Sequence, residues 1–156
     1  MNTDALQRAY EGLIAAANVV GTSSHLAPSD DAEVSWRLCH IALSDEILTS
    51  AAQATLKGLP AIVNNRRAMD KDLIASLTNR TTHGERVKAV RRNGAAFVEC
   101  IAQLSESQGA TAVRLIMHDR NGALVSNAMI SWCELVKLRV DRHLPAHTAK
   151  LTALAV

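Results

Sequence analysis

The chain is poor in the residues that mark several protein classes. Of its 156 residues, 7 are glycine, 3 are proline and 3 are cysteine, and aromatic residues make up only 3%. So few glycines and prolines argue against a turn-rich all-β fold. Cys39, Cys100 and Cys133 are odd in number and widely spaced, so a disulfide framework is not expected and a reducing compartment fits better.

Signals for other partners and compartments are also missing. The net charge is +2, with acids and bases interspersed, which gives no electrostatic case for a nucleic acid or an anionic membrane. No uncharged run approaches the length of a membrane span, and the first residues carry no basic and apolar targeting signal. Phosphate-binding glycine loops, Cys-x-x-Cys pairs and Gly-x-Ser-x-Gly elbows are absent, which weakens nucleotide-dependent and serine-hydrolase functions. We therefore expect a cytoplasmic protein without a nucleic-acid or membrane partner.

Apolar residues at helical spacing dominate what is present. Hydrophobic residues make up 48% of the chain and are mostly aliphatic, and the length predicts a single domain over residues 1–156. The periodicity predicts long helices over about residues 3–20, 29–56 and 82–106, and a last one that Asn127 caps and that ends near Leu151. A short helix is predicted over residues 68–77. Thr82 followed by Glu85 is typical of a capping box at the start of the third long helix.

Residues 111–127 break the helical pattern. Val113, Leu115 and Met117 alternate with other residues, and Asn121-Gly122 separates them from Leu124 and Val125. Asn-Gly between two short β-capable runs is a hairpin signal. The predicted fold is therefore all-α, a bundle of four long helices with a small β-hairpin between helices 3 and 4.

His143 and His147 are the main candidates for chemistry. Residues four apart project from one face of a helix, so both imidazoles can reach one metal ion. Pro145 lies between them and, inside a helix, removes a hydrogen bond and produces a kink or a restart. His40 lies on the apolar face of the second helix, and closure of the bundle onto it would form an open three-His site. Imidazole suits zinc, nickel and iron.

Each of these residues has a simpler explanation as well. His143 and His147 alone are a weak motif, and His40 is also explained as a core histidine that a neighbour such as Tyr10 or Ser44 satisfies. Asp45 and Asp141 are candidates to orient a histidine ligand rather than to bind the metal. The remaining histidines are expected in other settings: His25 in a polar loop, His83 in a helix-capping turn and His118 in the hairpin.

The segments around these histidines resemble the DinB-like superfamily, which includes the mycothiol-dependent maleylpyruvate isomerase branch. Residues 36–42, Trp-Arg-Leu-Cys-His-Ile-Ala, resemble its second-helix motif, in which a tryptophan precedes a metal-binding histidine. Residues 143–151, from His143 and His147 to Leu151, resemble its last-helix His-x-x-x-His segment. The order of middle helix, short hairpin and final helix also fits, whereas Pro145 between the two histidines departs from the commonest pattern.

The resemblance implies a four-helix bundle with up-down-down-up connectivity. It implies a divalent metal, most simply zinc or nickel, held by His40, His143 and His147. It also implies a transferase or isomerase that acts on a small molecule and uses a low-molecular-weight thiol such as mycothiol, bacillithiol or glutathione.

Two other functions stay open. The first is a non-catalytic, stress-associated helical bundle that binds a metal or a ligand, and we favour the enzyme over it. A helical transcription regulator is less favoured, because the basic residues are dispersed rather than gathered on a recognition helix. A bundle of this size can leave an apolar face to cover, which allows a homodimer.

Overall fold

The protein is predominantly helical, with one small sheet. The structure, a computed structural model, describes residues 1–23 and 26–155. The helices are α1 Asp4–Gly21, α2 Pro28–Leu56, α3 Lys71–Arg80, α4 His83–Gln103, α5 Glu106–Gly109, α6 Trp132–Leu138 and α7 Leu144–Leu154. A 3₁₀ segment, Asn65–Met69, precedes α3, and a π-helical segment, Arg139–His143, joins α6 to α7. The strands are β1 Ile62–Asn64, β2 Ala112–His118 and β3 Leu124–Ser131.

The core lies between the long helices. Helix α2 packs along α4, and α1 packs against both α4 and α7. Aliphatic side chains fill most of this core, with Phe97 and Trp132 fully buried among them and their ring centroids 6.5 Å apart. The indole N–H of Trp132 donates to the Thr55 hydroxyl at 2.8 Å, so the largest buried side chain has its polar atom satisfied.

Local signals set the helix ends. The predicted capping box at the start of α4 is confirmed, because the Thr82 side chain accepts from the backbone N–H of Glu85 and the Glu85 side chain reaches back. Pro28 lies in the first turn of α2, followed by Asp30 and Asp31, which suit the positive end of the helix dipole. Helix α4 ends at Gln103, earlier than predicted, because Leu104 turns extended and a second capping box at Ser105 opens α5.

The sheet differs from the prediction. It has three strands in the order β1-β2-β3, with β1 parallel to β2 and β2 antiparallel to β3. The prediction of a lone hairpin between helices 3 and 4 is therefore wrong. Strand β1 follows α2 and joins β2 by a pairing that a local pattern does not reveal, with Val63 opposite Leu115. The short helix α5 also stands between α4 and β2.

Asn127 does not cap the last helix, which corrects a second prediction. Asn127 pairs with Ile116 inside β3, and the strand continues to Ser131. Ser131 and Glu134 then form the capping box of α6. A serine three residues before a glutamate satisfies two free backbone N–H groups, which a lone asparagine at residue 127 does not.

One cluster of contacting buried side chains runs through the molecule, from Leu6 in α1 to Leu151 in α7. Within the described residues, no helix combines the length and the apolar character that crossing a membrane requires.

Candidate metal centre

Three histidines from two distant parts of the chain meet where α2 passes the C-terminal helices. His40 lies in the middle of α2, His143 ends the π-helical segment, and His147 lies in α7. One ring nitrogen from each lies within 4.8 Å of those from the other two. We call these three residues the histidine cluster. It is the set that the sequence predicted, and it can hold a metal ion.

Pro145 does not turn the C-terminal pair apart. The rings of His143 and His147 have centroids 4.7 Å apart. The π-helical segment ends two residues before Pro145, and the backbone N–H of Leu144 bonds to the carbonyl of Arg139, five residues back. Proline has no N–H and crowds the carbonyl four residues before it, so a wider turn at this place relieves both problems. The pair therefore stays on one face.

The spacing of the donor atoms suits a metal ion. The Nε2 atoms of His40 and His143 are 3.3 Å apart. Two nitrogens bound to one zinc ion at 2.0–2.1 Å in tetrahedral geometry stand about 3.4 Å apart. His40 and His143 already have that separation, and a ring nitrogen of His147 lies within 4.8 Å of both.

The surroundings of His40 fix its orientation and its protonation. Its Nδ1 lies 2.7 Å from the carbonyl oxygen of Ala68, so Nδ1 carries the proton and Nε2 presents a lone pair to the cluster. Trp36 stacks on the ring at 4.7 Å with an interplanar angle of 8°. Burial lowers the pKa of His40 to about 4, partly opposed by the Ala68 carbonyl. The partner is thus a backbone carbonyl, and neither Tyr10 nor Ser44 satisfies this imidazole.

His143 and His147 face cations on their outer sides. The guanidinium of Arg139 lies 3.1 Å from His143 Nδ1, and that of Arg37 lies 3.0 Å from His147 Nδ1. Arginine only donates, so both Nδ1 atoms accept, and in the neutral rings the proton sits on Nε2. Burial lowers the pKa of His147 to about 3, and burial followed by the charge of Arg139 lowers that of His143. All three rings are therefore neutral at pH 7.

Without a metal, the donors form a continuous chain. Arg139 donates to His143, the Nε2 proton of His143 points to the bare Nε2 of His40, and His40 donates to Ala68. This order satisfies His40 and His143 by hydrogen bonds alone. A cation held there would require His143 to carry its proton on Nδ1, which now accepts from Arg139, so cation binding would compete with both hydrogen bonds.

A buried ion pair adjoins the cluster, because one of its members, Arg139, also contacts His143. The sequence did not predict this pair. Arg139 and Asp45 pair while only 5% and 0% exposed, and the Tyr10 hydroxyl donates to Asp45 at 2.5 Å. Burial raises the pKa of Asp45 and Arg139 lowers it. Asp45 thus reaches His143 through Arg139 rather than touching a histidine. The sequence does contain one indication that Asp45 is buried. Asp45 lies on the apolar stripe of α2, three residues before the buried Leu48.

A second ion-pair network closes the outer side of the cluster. Glu33 pairs with Arg37 at 2.5 Å and with Arg120, from the turn between β2 and β3, at 2.9 Å. The guanidinium of Arg120 stacks over the Trp36 ring, 3.5 Å from its centroid. Both acids that flank the cluster are thus held by arginines.

The other sequence candidates lie elsewhere. The expectation that Asp141 orients a histidine is wrong, because Asp141 pairs with Lys137 on the exposed side of the helix. His83 contacts the carbonyl of Ala17, and His118 contacts Asn65, so neither joins the cluster. His25, predicted in a loop, lies outside the described residues.

A cavity opens beside the cluster, between α2, the sheet and the C-terminal helices. Its volume is about 140 Å³. His40, His143 and Arg139, which are joined by hydrogen bonds, form one polar part of its lining, and aliphatic side chains form most of the wall. We call it the apolar cavity.

Comparison with protein-family models, curated proteins and solved structures gave no match to this chain.

Proposed function

We propose that the protein is a metal-dependent enzyme of the DinB-like type, a four-helix bundle with up-down-down-up connectivity. In this proposal His40, His143 and His147 hold a divalent ion, zinc or nickel. The observation that carries it is the histidine cluster itself, with two Nε2 atoms 3.3 Å apart beside a cavity. The resemblance of the segments around these histidines to DinB-like motifs adds the reaction class, a thiol-dependent transfer or isomerisation.

The chain's own residues prepare the site. The Ala68 carbonyl and the Trp36 ring hold His40 with Nε2 directed inward. Burial keeps all three imidazoles neutral at pH 7, so each ring has one lone pair. That of His40 already faces the cluster, whereas those of His143 and His147 accept from Arg139 and Arg37 and have to be released before an ion binds. A bound divalent cation with neutral ligands supplies Lewis acidity and lowers the pKa of a thiol or a water that reaches it. The apolar cavity keeps bulk water away from a small substrate held next to that position.

Metal analysis tests the first step of the proposal. Untagged protein, purified without chelator, should carry about one equivalent of zinc or nickel by mass spectrometry of the elements. His143→Ala and His147→Ala should lose it, because two neutral ligands no longer enclose the ion. His83→Ala is the matched control, since that histidine lies outside the cluster, and it should keep the metal. A wild-type protein that binds neither zinc nor nickel, even when both are added after chelation, would contradict the proposal.

Cobalt substitution tests the second step. A Co²⁺-loaded protein absorbs visible light in a way that depends on its ligands, so a thiol that enters the site changes the spectrum. Glutathione, bacillithiol and mycothiol should each be titrated into the loaded protein, with serine added separately as a thiol-free control. A spectrum that no thiol changes would remove the thiol from the proposal while leaving the metal site intact.

Two observations favour a second function, a non-catalytic ligand-binding bundle. Glu33 and Asp45, the acids that flank the cluster, are both paired with arginines, so neither is free to act as a base. The hydrogen-bond chain from Arg139 to Ala68 also satisfies His40 and His143 without a metal. Arg139→Gln separates the two functions, because its amide oxygen can accept a proton from His143 Nδ1 and frees Nε2. Metal uptake only by this variant would favour the non-catalytic function.

A further inference from the structure

The apolar cavity is too large and too apolar to be explained as a site for water. Its seven aliphatic lining residues come from four elements: Ile47, Leu48, Val63, Leu115, Met117, Leu135 and Leu138. A buried water needs two to four polar partners, and this wall offers few. The volume of about 140 Å³ holds several waters, which would be poorly hydrogen-bonded there.

The polar residues at the cavity are mostly engaged elsewhere. The Asn65 amide group donates to the carbonyl of His118 and accepts from its backbone N–H, which ties the 3₁₀ segment to β2. Arg139 uses its three nitrogens on Tyr10, Asp45 and His143. Neither residue therefore has its main polar group free for an occupant. A charged group deep in this cavity would be desolvated without a partner, which is strongly unfavourable.

The shape of the cavity sets the size of its occupant. An enclosed apolar cavity of about 150 Å³ binds benzene, which sets the size of the group that the apolar cavity, partly open to solvent, can take. The apolar cavity has nearly the same volume, and its polar end is formed by His40 and His143. An occupant that fills it thus presents its other end to the histidine cluster.

We infer that the apolar cavity binds the uncharged hydrocarbon part of the substrate, a group about the size of a six-membered ring. The reactive, polar end of that molecule lies at the histidine cluster. The role of this second end rests on the proposed function, whereas binding of the hydrocarbon group depends only on the cavity. The inferred substrate class is a small molecule with one apolar end and one metal-binding or electrophilic end.

Benzene binding to the chelated protein tests the inference without a metal. Benzene should bind with a dissociation constant of about 1 mM or tighter. The binding is measured by NMR from the shifts of the side-chain methyl resonances. The shifts should be confined to the methyl groups of the lining residues named above. Absence of such shifts in the wild-type protein at 10 mM benzene, about ten times that constant, would overturn the inference.

A pair of tryptophan variants locates the binding. Met117→Trp places an indole into the cavity and should weaken benzene binding about tenfold or more, because it fills the space that the ligand needs. Met129→Trp is the matched control, since Met129 is 62% exposed on β3 and does not line the cavity. If Met117→Trp does not fold, Met117→Phe takes its place with a smaller loss. Unchanged binding in a folded Met117 variant would also overturn the inference.

The outcomes separate the cavity from the proposed function. Benzene binding together with failure of metal binding would retain the cavity and reject the metal-dependent enzyme. Metal binding without benzene binding would retain the metal site and reject the cavity as a binding site for the hydrocarbon group. In the metal-loaded protein, thiophenol should bind more tightly than benzene, because its thiolate end reaches the ion while the ring stays in the cavity. Equal affinity for the two would overturn the placement of the substrate's reactive end.

Discussion

Replacing Arg139 with methionine should strongly destabilise the protein. Methionine keeps much of the apolar volume of the side chain but removes the guanidinium, so Asp45 loses its cation while it stays enclosed. Arg139 is 5% exposed and Asp45 is 0% exposed. Removal of one member of such a buried pair costs about 3–5 kcal/mol, because an uncompensated charge is left inside. Against a typical unfolding free energy of about 5–15 kcal/mol, this loss is large.

The contacts place the expected loss in the upper part of that range. Arg139 also donates to the Tyr10 hydroxyl at 3.0 Å and to His143 Nδ1 at 3.1 Å, and the variant loses both. Asp45 keeps only its bond from Tyr10, and its Oδ2 has no partner among the described residues. We therefore expect a loss of about 4–5 kcal/mol in the free energy of unfolding.

Urea unfolding of the chelated protein, followed by tryptophan fluorescence, measures this loss. The double variant Arg139→Met with Asp45→Leu should recover most of it, since an apolar pair of similar volume leaves no buried charge. Lys137→Met is the control, because it breaks the exposed pair with Asp141 and should cost no more than about 1 kcal/mol. Equal losses for Arg139→Met and Lys137→Met would refute the reasoning.

The pH dependence of the stability of Arg139→Met tests the same prediction in a second way. Burial raises the pKa of Asp45, and loss of Arg139, which lowers it, raises it further. In the variant, the folded state therefore holds a proton on Asp45 that the unfolded state releases near its ordinary pKa of about 4. Stability of the variant therefore rises relative to wild type as the pH falls from neutral through the raised pKa of Asp45. A difference in stability that does not change over this range would speak against a buried carboxylate.

Two further predictions concern buried polar groups. Burial lowers the pKa of His40 to about 4. As the pH falls, His40 is therefore protonated near pH 6.5 in the unfolded state but only near pH 4 in the folded state. The contribution of His40 to the stability of the chelated protein should thus fall by about 3 kcal/mol between about pH 6.5 and pH 4. His40→Gln should reduce the slope of stability against pH in urea titrations, and the part due to His143 and His147 should remain. Thr55→Val leaves the Trp132 indole N–H unpaired and should lower the free energy of unfolding, measured with urea, by about 1–3 kcal/mol. Thr49→Val removes a buried hydroxyl that has no partner within the described part of the chain, and it should be neutral or stabilising. Equal slopes for wild type and His40→Gln, or equal effects of the two threonine variants, would contradict these expectations.

The helices and the histidine pair were predictable because their signals are local. Thr82 and Glu85 make a capping box within four residues, and the spacing of His143 and His147 needs only one helical turn. Apolar periodicity also placed His40 on the inner face of α2, where it is 6% exposed. Each of these predictions depends on residues that are close in sequence.

The sheet was harder to predict because its pairing is not local. Strand β1 spans only Ile62–Asn64 and pairs in parallel with Arg114–Ile116, about fifty residues later. Three residues are too few for an alternation signal. The prediction of Asn127 as a cap failed for a related reason, since the pairing of β3 with β2 extends the strand past it.

The ion pair of Asp45 and Arg139 shows a third limit. A buried aspartate is strongly disfavoured unless it is paired, so its place on the apolar stripe of α2 called for a cation. The partner could not be named, because the π-helical segment rotates Arg139 relative to α7 and thereby sets which residues face inward. Pro145 is the local sign of that irregular turn, although by itself it predicts only a kink or a restart and not a π-helical segment.

The charges around the histidine cluster bear on what the proposed site binds. Three arginines, Arg37, Arg120 and Arg139, act on the cluster, whereas Glu33 and Asp45 supply only two carboxylates, which leaves one positive charge in excess. Three imidazoles add no charge, so a divalent cation held there would meet a positive surrounding. An anion is then favoured as the remaining ligand, and a thiolate carries that charge. The excess charge favours any anionic ligand, hydroxide or a carboxylate included, for zinc and nickel alike, so the choice of a thiol rests on the family resemblance.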